Sequence, residues 1–351
     1  MKAILLAGGK GTRLRPLTLH TPKPIVPIFD KPFLSYQIGL LKQVPEIDEV
    51  ILSLNYQPRR IEEVFGDGSS IGMKLRYVVE PSPLGTGGAI RYAAQGIDDT
   101  LVVFNGDVMA AVDVAAVVAQ HQARKAKATI VLTPVDNPSA FGLVECDADG
   151  NVQRFLEKPS PDEITCDTIN AGIYVLEPDT FDRIPKDTPY SIERSYFPSL
   201  VQRGETFCAY IERGYWIDIG TPEKYRDVHK DIFDGRCPLG PAGIATGAPV
   251  VSPDAKVEAG AVLEGPCFLD AGVVVKAGAR IGPYSVLGRS VLVEEDARVS
   301  GAIVWPNARI GHDAVVEGAL IGRSCYIGKF AQVGPAAILG DKTTLSDFTR
   351  A

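Results

Sequence analysis

Three glycines and a group of cations lie close to the amino terminus. Residues 3–6 form an apolar run that is typical of a buried strand. The run leads directly into the loop Gly8-Gly9-Lys10-Gly11-Thr12-Arg13. Glycine allows several backbone N–H groups to converge on an anion, while lysine and arginine supply counter-charge. The loop is therefore predicted to hold phosphate groups.

The loop fits neither of two better-known phosphate-binding patterns. The pattern G-x-x-x-x-G-K-[ST] is absent, and in G-x-G-x-x-G the third glycine is replaced by Leu14. A tight turn with solvated cations is the alternative for a glycine-rich turn alone. The further cations Arg15 and Lys23 favour an anion site over that alternative.

Strand-like runs alternate with helical patterns from residue 1 to about residue 234. This alternation predicts a doubly wound, mostly parallel, Rossmann-like sheet, and ligands bind such sheets at the carboxyl ends of the strands. The strand-like runs cover 2–6, 49–54, 74–79, 100–104 and 128–133, and the helical patterns cover about 35–43, 58–65, 86–95 and 113–124.

Glu80 directly follows the third predicted strand. Guanine presents two adjacent donors, N1–H and the 2-amino group, and a carboxylate can accept both. Thymine and uracil present one donor between acceptors, which suits an amide better. If the phosphates held by the loop belong to a nucleotide and Glu80 faces its base, GTP is the predicted nucleotide.

Two aspartates lie at predicted strand ends. Asp107 follows the fourth strand, and Asp218 precedes the helix start Thr221-Pro222. Both therefore lie where ligands bind such a sheet. Turn or capping roles are the alternative for each aspartate, and their separation in the sequence does not by itself bring them together.

Glu157 and Lys158 end another strand-like run, before Pro159. Glu157 can accept hydrogen bonds from hydroxyl groups of a ligand, and Lys158 can meet an anion such as a phosphate. The alternative is a surface ion pair, which contributes little.

A six-residue period marks the carboxyl-terminal part, residues 250–351. It follows a segment rich in glycine, proline and alanine, residues 235–249, which is predicted to link it to a first domain of residues 1–234. Such a period is the signature of a parallel β-helix, here of five to six coils. The aliphatic positions slip by one residue twice, after Val299 and after Val316. A solenoid has flat, repetitive faces that favour a homo-oligomer.

Composition limits the class of protein. The net charge is −7 over 351 residues, which gives no sign of nucleic-acid binding. No apolar run approaches a membrane span or a signal peptide. The six cysteines are scattered, as expected for reduced thiols in a cytoplasmic protein.

The residues 8–18, with Pro22-Lys23-Pro24, resemble the signature of the sugar-1-phosphate nucleotidylyltransferases, or nucleotide-sugar pyrophosphorylases. Residues 216–222 are similar to that family's second metal motif, and the hexapeptide part resembles left-handed β-helices. The resemblance implies an enzyme that transfers a nucleotidyl group from an NTP to a sugar 1-phosphate, with Mg²⁺ as cofactor. Combined with the arguments above, it implies catalytic roles for Arg13, Lys23, Asp107 and Lys158; nucleotide contacts from Leu6, Ala7, Gly8, Gly9, Gly11, Thr12, Arg13, Glu80, Gly85 and Thr86; sugar-phosphate contacts from Gly142, Glu157, Lys158 and Asn170; and metal ligation by Asp107 and Asp218.

Within this family the architecture is most similar to the guanylyltransferases that act on mannose 1-phosphate. Gly85-Thr86-Gly87-Gly88 departs from their usual pattern and resembles heptose-phosphate guanylyltransferases. A glucose-1-phosphate thymidylyl- or uridylyltransferase is a further alternative. A non-catalytic nucleotide-sugar sensor is an alternative of another class. An acyltransferase in the β-helix, with His312 as base, is disfavoured because no long loop interrupts the repeats.

Overall fold

The computed structural model describes residues 1–351, which form two compact units. The sheet unit comprises Met1–Gly9 and Leu34–Asp218, and the β-helix unit comprises Lys10–Phe33 and Ile219–Ala351. The sequence pattern predicts residues 10–33 and 219–234 in the first domain and 235–249 in a linker. In the structure these segments pack within the β-helix unit.

The sheet unit is built on one nine-stranded mixed sheet. Its strand order is β10-β9-β11-β6-β1-β4-β5, with β8 also paired to β11 and β12 paired to β8. The first thirteen strands are β1 (Lys2–Leu6), β2 (Pro27–Ile28), β3 (Lys31–Pro32), β4 (Glu49–Leu54), β5 (Lys74–Val79), β6 (Leu101–Asn105), β7 (Val108–Ala110), β8 (Ala128–Pro134), β9 (Gly142–Cys146), β10 (Val152–Glu157), β11 (Thr168–Leu176), β12 (Phe207–Ile211) and β13 (Trp216–Asp218). The α-helices are α1 (Phe33–Leu41), α2 (Pro58–Phe65), α3 (Gly85–Ala93), α4 (Val114–Ala123), α5 (Phe197–Gln202) and α6 (Pro222–Phe233).

The centre of this sheet is parallel, as predicted. Strand β1 pairs in parallel with β4 and β6, and β4 pairs in parallel with β5. Antiparallel pairs enter with β11, which joins β6, β8 and β9. Apolar residues on the strands, including Ile4, Val103 and Tyr174, are completely buried. Each such side chain contributes about 1.5–3 kcal/mol by leaving water.

The carboxyl-terminal part is a parallel β-helix of three sheets, consistent with the left-handed class. The sheets have the orders β14-β17-β20-β23-β26-β29, β15-β18-β21-β24-β27-β30 and β16-β19-β22-β25-β28. The strands are β14 (Val250–Val251), β15 (Lys256–Val257), β16 (Val262–Leu263), β17 (Cys267–Leu269), β18 (Val274–Val275), β19 (Arg280–Ile281), β20 (Ser285–Leu287), β21 (Leu292–Val293), β22 (Arg298–Ser300), β23 (Ile303–Val304), β24 (Arg309–Ile310), β25 (Val315–Glu317), β26 (Leu320–Ile321), β27 (Tyr326–Ile327), β28 (Gln332–Val333), β29 (Ile338–Leu339) and β30 (Thr344–Leu345).

The two slips in the hexapeptide period correspond to two shortened coils. Leu269 pairs with Leu287 across a coil of full length, which holds three complete hexads. Leu287 pairs with Val304 and Val304 with Ile321, and each of these two coils is shorter by a single residue. The predicted aliphatic positions between Leu269 and Val333 are all buried. Separately, no helix in the structure has both the length and the apolar character needed to cross a membrane.

Candidate active site

The carboxyl ends of three strands meet at one edge of the central sheet. Leu6 at the end of β1 is in register with Ser53 of β4 and Asn105 of β6. Beyond this register, the Ala7 N–H donates to the Ser53 carbonyl at 2.9 Å and the Gly106 N–H donates to the Leu6 carbonyl at 3.0 Å. The chain segments that follow these strands therefore leave the sheet side by side, where a ligand is expected.

Close backbone approach explains two glycines at this edge. A Cβ atom on Gly106 would lie 2.2 Å from the Leu6 carbonyl oxygen, so no other residue fits without a backbone shift. A Cβ on Gly8 would lie 3.2 Å from the backbone of Asn55 and 3.3 Å from a carboxylate oxygen of Glu80. The predicted nucleotide residues Gly8 and Glu80 are thus neighbours.

Glu80 is buried, with 9% of its surface exposed. One carboxylate oxygen accepts a hydrogen bond from the Ser53 hydroxyl at 3.2 Å, and the other accepts from the Leu84 N–H at 3.0 Å. These bonds fix the carboxylate and shape the loop 80–84. A carboxylate has about four acceptor positions, so capacity for further donors remains.

The glycines at the start of α3 are covered by another segment of the sheet unit. The Gly87 N–H donates to the Tyr190 carbonyl at 2.9 Å, and a Cβ on Gly85 would lie 2.8 Å from that oxygen. Gly87 has little room as well, since its Cβ would lie 3.0 Å from the Tyr190 ring. The Thr86 hydroxyl donates to Glu193 at 2.7 Å. Packing against Tyr190 is therefore a structural reason for glycine at these positions.

Asp218 lies on a two-stranded ribbon whose other strand begins directly after Asp107. Strand β13 pairs antiparallel with β7, and Asp218 lies opposite Val108, the residue after Asp107. Opposed residues in such a ribbon have Cα atoms about 4.5–5.5 Å apart. The structure contains no group of three or more metal-binding side chains. Asp218 therefore lies next to the turn that carries Asp107, and the carboxylates of both residues are of the kind that binds a divalent metal.

The turn that carries Asp107 is fastened by Gln37 of α1, which the sequence did not indicate. The Gln37 amide donates to the carbonyls of Asn105 and Val108, both at 2.8 Å, on the two sides of the turn. The amide oxygens of Gln37 and Asn105 are buried without a hydrogen-bond partner. Such unsatisfied atoms are uncommon and merit a functional explanation.

The predicted sugar-side residues Gly142 and Glu157 face each other across β9 and β10. A Cβ on Gly142 would lie 3.1 Å from a carboxylate oxygen of Glu157. Partial burial, reinforced by the charge of Glu193, raises the pKa of Glu157. Lys158 is exposed and has a left-handed backbone, with φ of 53°. Non-glycine residues in this conformation often mark functional sites.

Asn170 belongs to a polar cluster around Tyr174. The Asn170 amide donates to the Tyr174 hydroxyl at 2.9 Å, and the Asn105 amide donates to it at 3.3 Å. Gly172 has a φ of 75°, and its Cβ would lie 2.9 Å from the Asn105 amide nitrogen. Asn170 is therefore coupled to the strand end that precedes Asp107, through a tyrosine that the sequence did not single out.

The cationic part of the loop lies in the β-helix unit. Gly11 has a φ of 58°, and its carbonyl accepts a hydrogen bond from the Thr18 hydroxyl at 2.6 Å. A Cβ there would lie 3.3 Å from the Cβ of Lys23, which is itself 9% exposed. The Arg13 guanidinium packs on Gly220, where a Cβ would lie 2.8 Å from it. Gly11 and Lys23 are thus brought together, and Thr12 and Arg13 are exposed beside them.

A Rossmann-like mixed sheet with a glycine-rich turn at the carboxyl end of its central strand is a fold that binds nucleotides. The chain belongs to the nucleotidyl transferase family. The sequence model of that family, described as "Nucleotidyl transferase", matches residues 2–235. A second model, described as "GMPPB C-terminal domain", matches residues 263–350.

Individual relatives extend over most of the chain. It is 39% identical over 317 residues to the mannose-1-phosphate guanylyltransferase of Mycobacterium tuberculosis, covering 90% of this chain and 82% of that protein. It is 36% identical to the probable mannose-1-phosphate guanylyltransferase 1 of Oryza sativa, covering 99% and 93%. The crystal structure of HddC from Yersinia pseudotuberculosis, complexed with GMP-PN, has a TM-score of 0.56 at 30% identity and covers 66% of this chain and 99% of that chain.

Proposed function

We propose that this nucleotidyltransferase transfers a guanylyl group from GTP to mannose 1-phosphate, giving GDP-mannose and pyrophosphate. The relatives named above as mannose-1-phosphate guanylyltransferases support both substrates. The observation that carries the proposal is the ribbon on which Asp218 lies opposite Val108 and so beside Asp107. A nucleotidyl transfer needs such a carboxylate pair for the divalent metal that this family uses.

Mg²⁺ is the metal proposed here, held by Asp107 and Asp218. When bound, it supplies positive charge that polarises the triphosphate and offsets the charge of the transition state. The oxygen-only donor set of the two aspartates agrees with this choice. Asp107 and Asp218 would hold the ion through their carboxylate oxygens.

The reaction itself requires little proton transfer. An oxygen of the sugar 1-phosphate attacks the α-phosphorus in line, and the bond to pyrophosphate breaks. The attacking oxygen is already ionised, so no general base is needed. The protein must bring two anions together and offset their repulsion. Arg13 is proposed to neutralise the departing pyrophosphate, Lys23 to meet the α-phosphate and Lys158 the attacking phosphate.

Substrate recognition is assigned to the residues at the sheet edge. The backbone of Leu6 to Gly9, with Gly11 and Thr12, is proposed to surround the triphosphate, and Gly85 and Thr86 to contact the nucleoside. Glu80 is proposed to accept from the guanine N1–H and 2-amino group. On the sugar side, Glu157 and Asn170 are proposed to bind hydroxyl groups, and Gly142 to allow close backbone approach.

A pyrophosphate-release assay tests the proposal. The purified chain is incubated with GTP, dTTP, UTP, ATP or CTP, each with mannose, glucose or heptose 1-phosphate, in the presence and absence of Mg²⁺. GTP with mannose 1-phosphate should give the highest kcat/KM, and chelation should abolish release. Preference for dTTP or UTP with glucose 1-phosphate would contradict the substrate assignment. Absence of release with every pair would contradict catalysis.

Two further properties are proposed, a reducing location and self-association. The six cysteines all have free thiols, which fits a reducing, cytoplasmic location. The β-helix is proposed to mediate self-association, because its sheets offer flat, repetitive faces. Light scattering of the purified full chain would test the second point; a monomer at micromolar concentration would contradict it.

A further inference from the structure

The loop Lys10–Phe33 packs against the β-helix, within the same compact unit. Hydrogen bonds hold this loop on both sides of Lys23. Before Lys23, Thr21 donates to Asp341 of the β-helix. After Lys23, the Pro27 carbonyl accepts from Tyr225 of α6, which in turn accepts from Trp305 of the β-helix.

The first fastening is the hydrogen bond from the Thr21 hydroxyl to Asp341, at 2.8 Å. Thr21 is 3% exposed. The other carboxylate oxygen of Asp341 accepts from the Arg323 N–H of the preceding coil, also at 2.8 Å, so the β-helix itself orients the carboxylate that meets the loop. Next to it, a Cβ on Gly340 would lie 3.2 Å from Pro16. The loop thus rests closely on this turn of the β-helix.

The second fastening runs through two buried aromatic side chains. The Tyr225 hydroxyl donates to the Pro27 carbonyl. The same hydroxyl accepts from the Trp305 indole N–H at 2.9 Å, and Tyr225 and Trp305 are both essentially inaccessible to solvent. The Arg323 guanidinium covers the Trp305 ring, 5.7 Å from its centroid. One region of the β-helix therefore supports both ends of the Thr21–Pro27 segment.

Lys23 has to place its ammonium group accurately to stabilise charge on a reacting phosphate, since small displacements of a catalytic group cost large factors in rate. We propose that the β-helix is part of the catalytic apparatus, and that Asp341 is a positioning residue which fixes Lys23 through Thr21. This inference rests on the proposed role of Lys23 at the α-phosphate.

Asp347 provides a matched control for Asp341. It occupies the equivalent position in the next hexad, and its carboxylate accepts from the Lys329 N–H at 2.8 Å, just as Asp341 accepts from Arg323. No hydrogen bond joins Asp347 to the loop Lys10–Phe33. Replacing either aspartate by alanine removes the same turn contact, but only Asp341→Ala releases Thr21.

The experiment compares kcat, KM and Tm for Thr21→Val, Thr21→Ser, Asp341→Ala and Asp347→Ala in the full chain. Thr21→Val and Asp341→Ala should lower kcat roughly 10- to 100-fold with little change in the KM for sugar phosphate. Thr21→Ser, which keeps the hydroxyl, should retain most of the activity, and Asp347→Ala should match the wild type. Thr21→Val combined with Asp341→Ala should be no slower than Asp341→Ala alone, because both remove one interaction.

Equal kcat values in Asp341→Ala and Asp347→Ala, or wild-type kcat in Thr21→Val, would overturn the positioning role. Lys23→Ala separates this failure from failure of the proposed function. If Lys23→Ala is inactive while Thr21→Val and Asp341→Ala are fully active, only the positioning role is wrong. If Lys23→Ala keeps wild-type kcat, the role of Lys23 is wrong and the positioning inference is overturned with it.

Discussion

Asp107 and Asp218 are the two residues to which the proposed chemistry assigns the metal. Replacing either by asparagine preserves its size and removes its negative charge. We expect kcat to fall at least about 100-fold, since a lost transition-state charge contact typically costs roughly 10²–10³. Pyrophosphate release at saturating substrates and varied Mg²⁺ measures the effect, and excess Mg²⁺ should restore part of the rate.

Asp113→Asn is a suitable control for the aspartate variants. Asp113 is exposed and caps α4 by accepting from the Ala116 N–H at 2.9 Å, and asparagine caps a helix equally well. This variant should turn over as the wild type does. Wild-type kcat in Asp107→Asn would show that the ribbon does not carry the metal.

Glu80 is the residue on which the predicted base preference depends. Glu80→Gln replaces one acceptor oxygen by a donor, so it should weaken the recognition of guanine. The ratio of kcat/KM for GTP to that for dTTP should fall at least about tenfold, as expected when a paired donor loses its acceptor. Competition between the two nucleotides in one reaction measures the ratio directly.

Ser53→Ala controls for the structural role of Glu80. It removes the hydroxyl that donates to Glu80 at 3.2 Å but leaves the carboxylate in place. Overall activity can decline in this variant, but the GTP to dTTP ratio should stay close to that of the wild type. An unchanged ratio in Glu80→Gln would refute base recognition by Glu80.

Among the individual residues, those with a charged side chain directly at a strand end could be predicted from the sequence. Asp107, Glu80 and Glu157 each follow or end a recognisable strand, so their place at the sheet edge was predictable. Gln37 and Tyr174 were not found, because Gln37 acts on a distant turn and Tyr174 links its neighbour Asn170 to Asn105, which lies 69 residues away in the chain. The bond from Gln37 to Asn105, for example, spans 68 residues.

Among the secondary-structure elements, α1 holds the turn that carries Asp107 through the hydrogen bonds of Gln37, which we call the clamp. Gln37→Leu would leave the carbonyls of Asn105 and Val108 without their shared donor. We expect a loss of about 1–3 kcal/mol in stability and a fall in kcat of about tenfold from displacement of Asp107. Thermal unfolding and steady-state kinetics on the same preparation measure both.

Gln120→Leu separates destabilisation from displacement of the metal site. The Gln120 amide donates to the Ala209 carbonyl at 2.8 Å, in another part of the sheet unit. This variant should lose comparable stability and keep its kcat. If Gln37→Leu and Gln120→Leu lose kcat equally, the clamp has no specific role.

The elements themselves were largely predictable, because their hydrophobic periods are strong. The helical patterns at 35–43 and 113–124 correspond to Phe33–Leu41 and Val114–Ala123. The slips in the hexapeptide period were visible as well. Only the strand register of the structure shows that each slip is a coil shortened by a single residue. The antiparallel pairs of β11 were not predicted, since period alone does not choose a partner strand.

At the scale of the whole molecule, buried His229 should make stability depend on pH. Its Nδ1–H donates to the Tyr225 carbonyl at 2.8 Å, and its Nε2 accepts from the Phe29 N–H at 3.4 Å, which requires the neutral ring. Burial lowers the pKa of His229 from 6.5 to about 4. The unfolded chain then binds a proton that the folded chain excludes, so stability falls as pH drops from 6.5 towards 4.

The lowered pKa of His229 should reduce the free energy of unfolding by about 3 kcal/mol at pH 4 relative to neutral pH. His229→Gln cannot titrate, so its loss of stability between pH 7 and pH 4 should be smaller than that of the wild type by a similar amount. His20→Gln, at an exposed position, should behave as the wild type. Chemical unfolding of the three proteins at both pH values gives the comparison. Parallel losses in all three would contradict the assignment.

The division of the chain into units was the least predictable feature. Residues 10–33 are contiguous with β1 in sequence, yet they belong to the β-helix unit. The rings of Phe29 and Phe268 have centroids 5.3 Å apart, although one residue lies near the start of the chain and the other within the β-helix. No local pattern encodes such a contact.

Product analysis of a single reaction tests guanylyl transfer to mannose 1-phosphate most directly. Wild-type protein is given GTP, mannose 1-phosphate and Mg²⁺, and GDP-mannose and pyrophosphate are both quantified by chromatography and mass spectrometry. The two products should form in a 1:1 ratio, and Asp218→Asn should suppress both together. Binding of both substrates without product, or pyrophosphate without GDP-mannose, would contradict it.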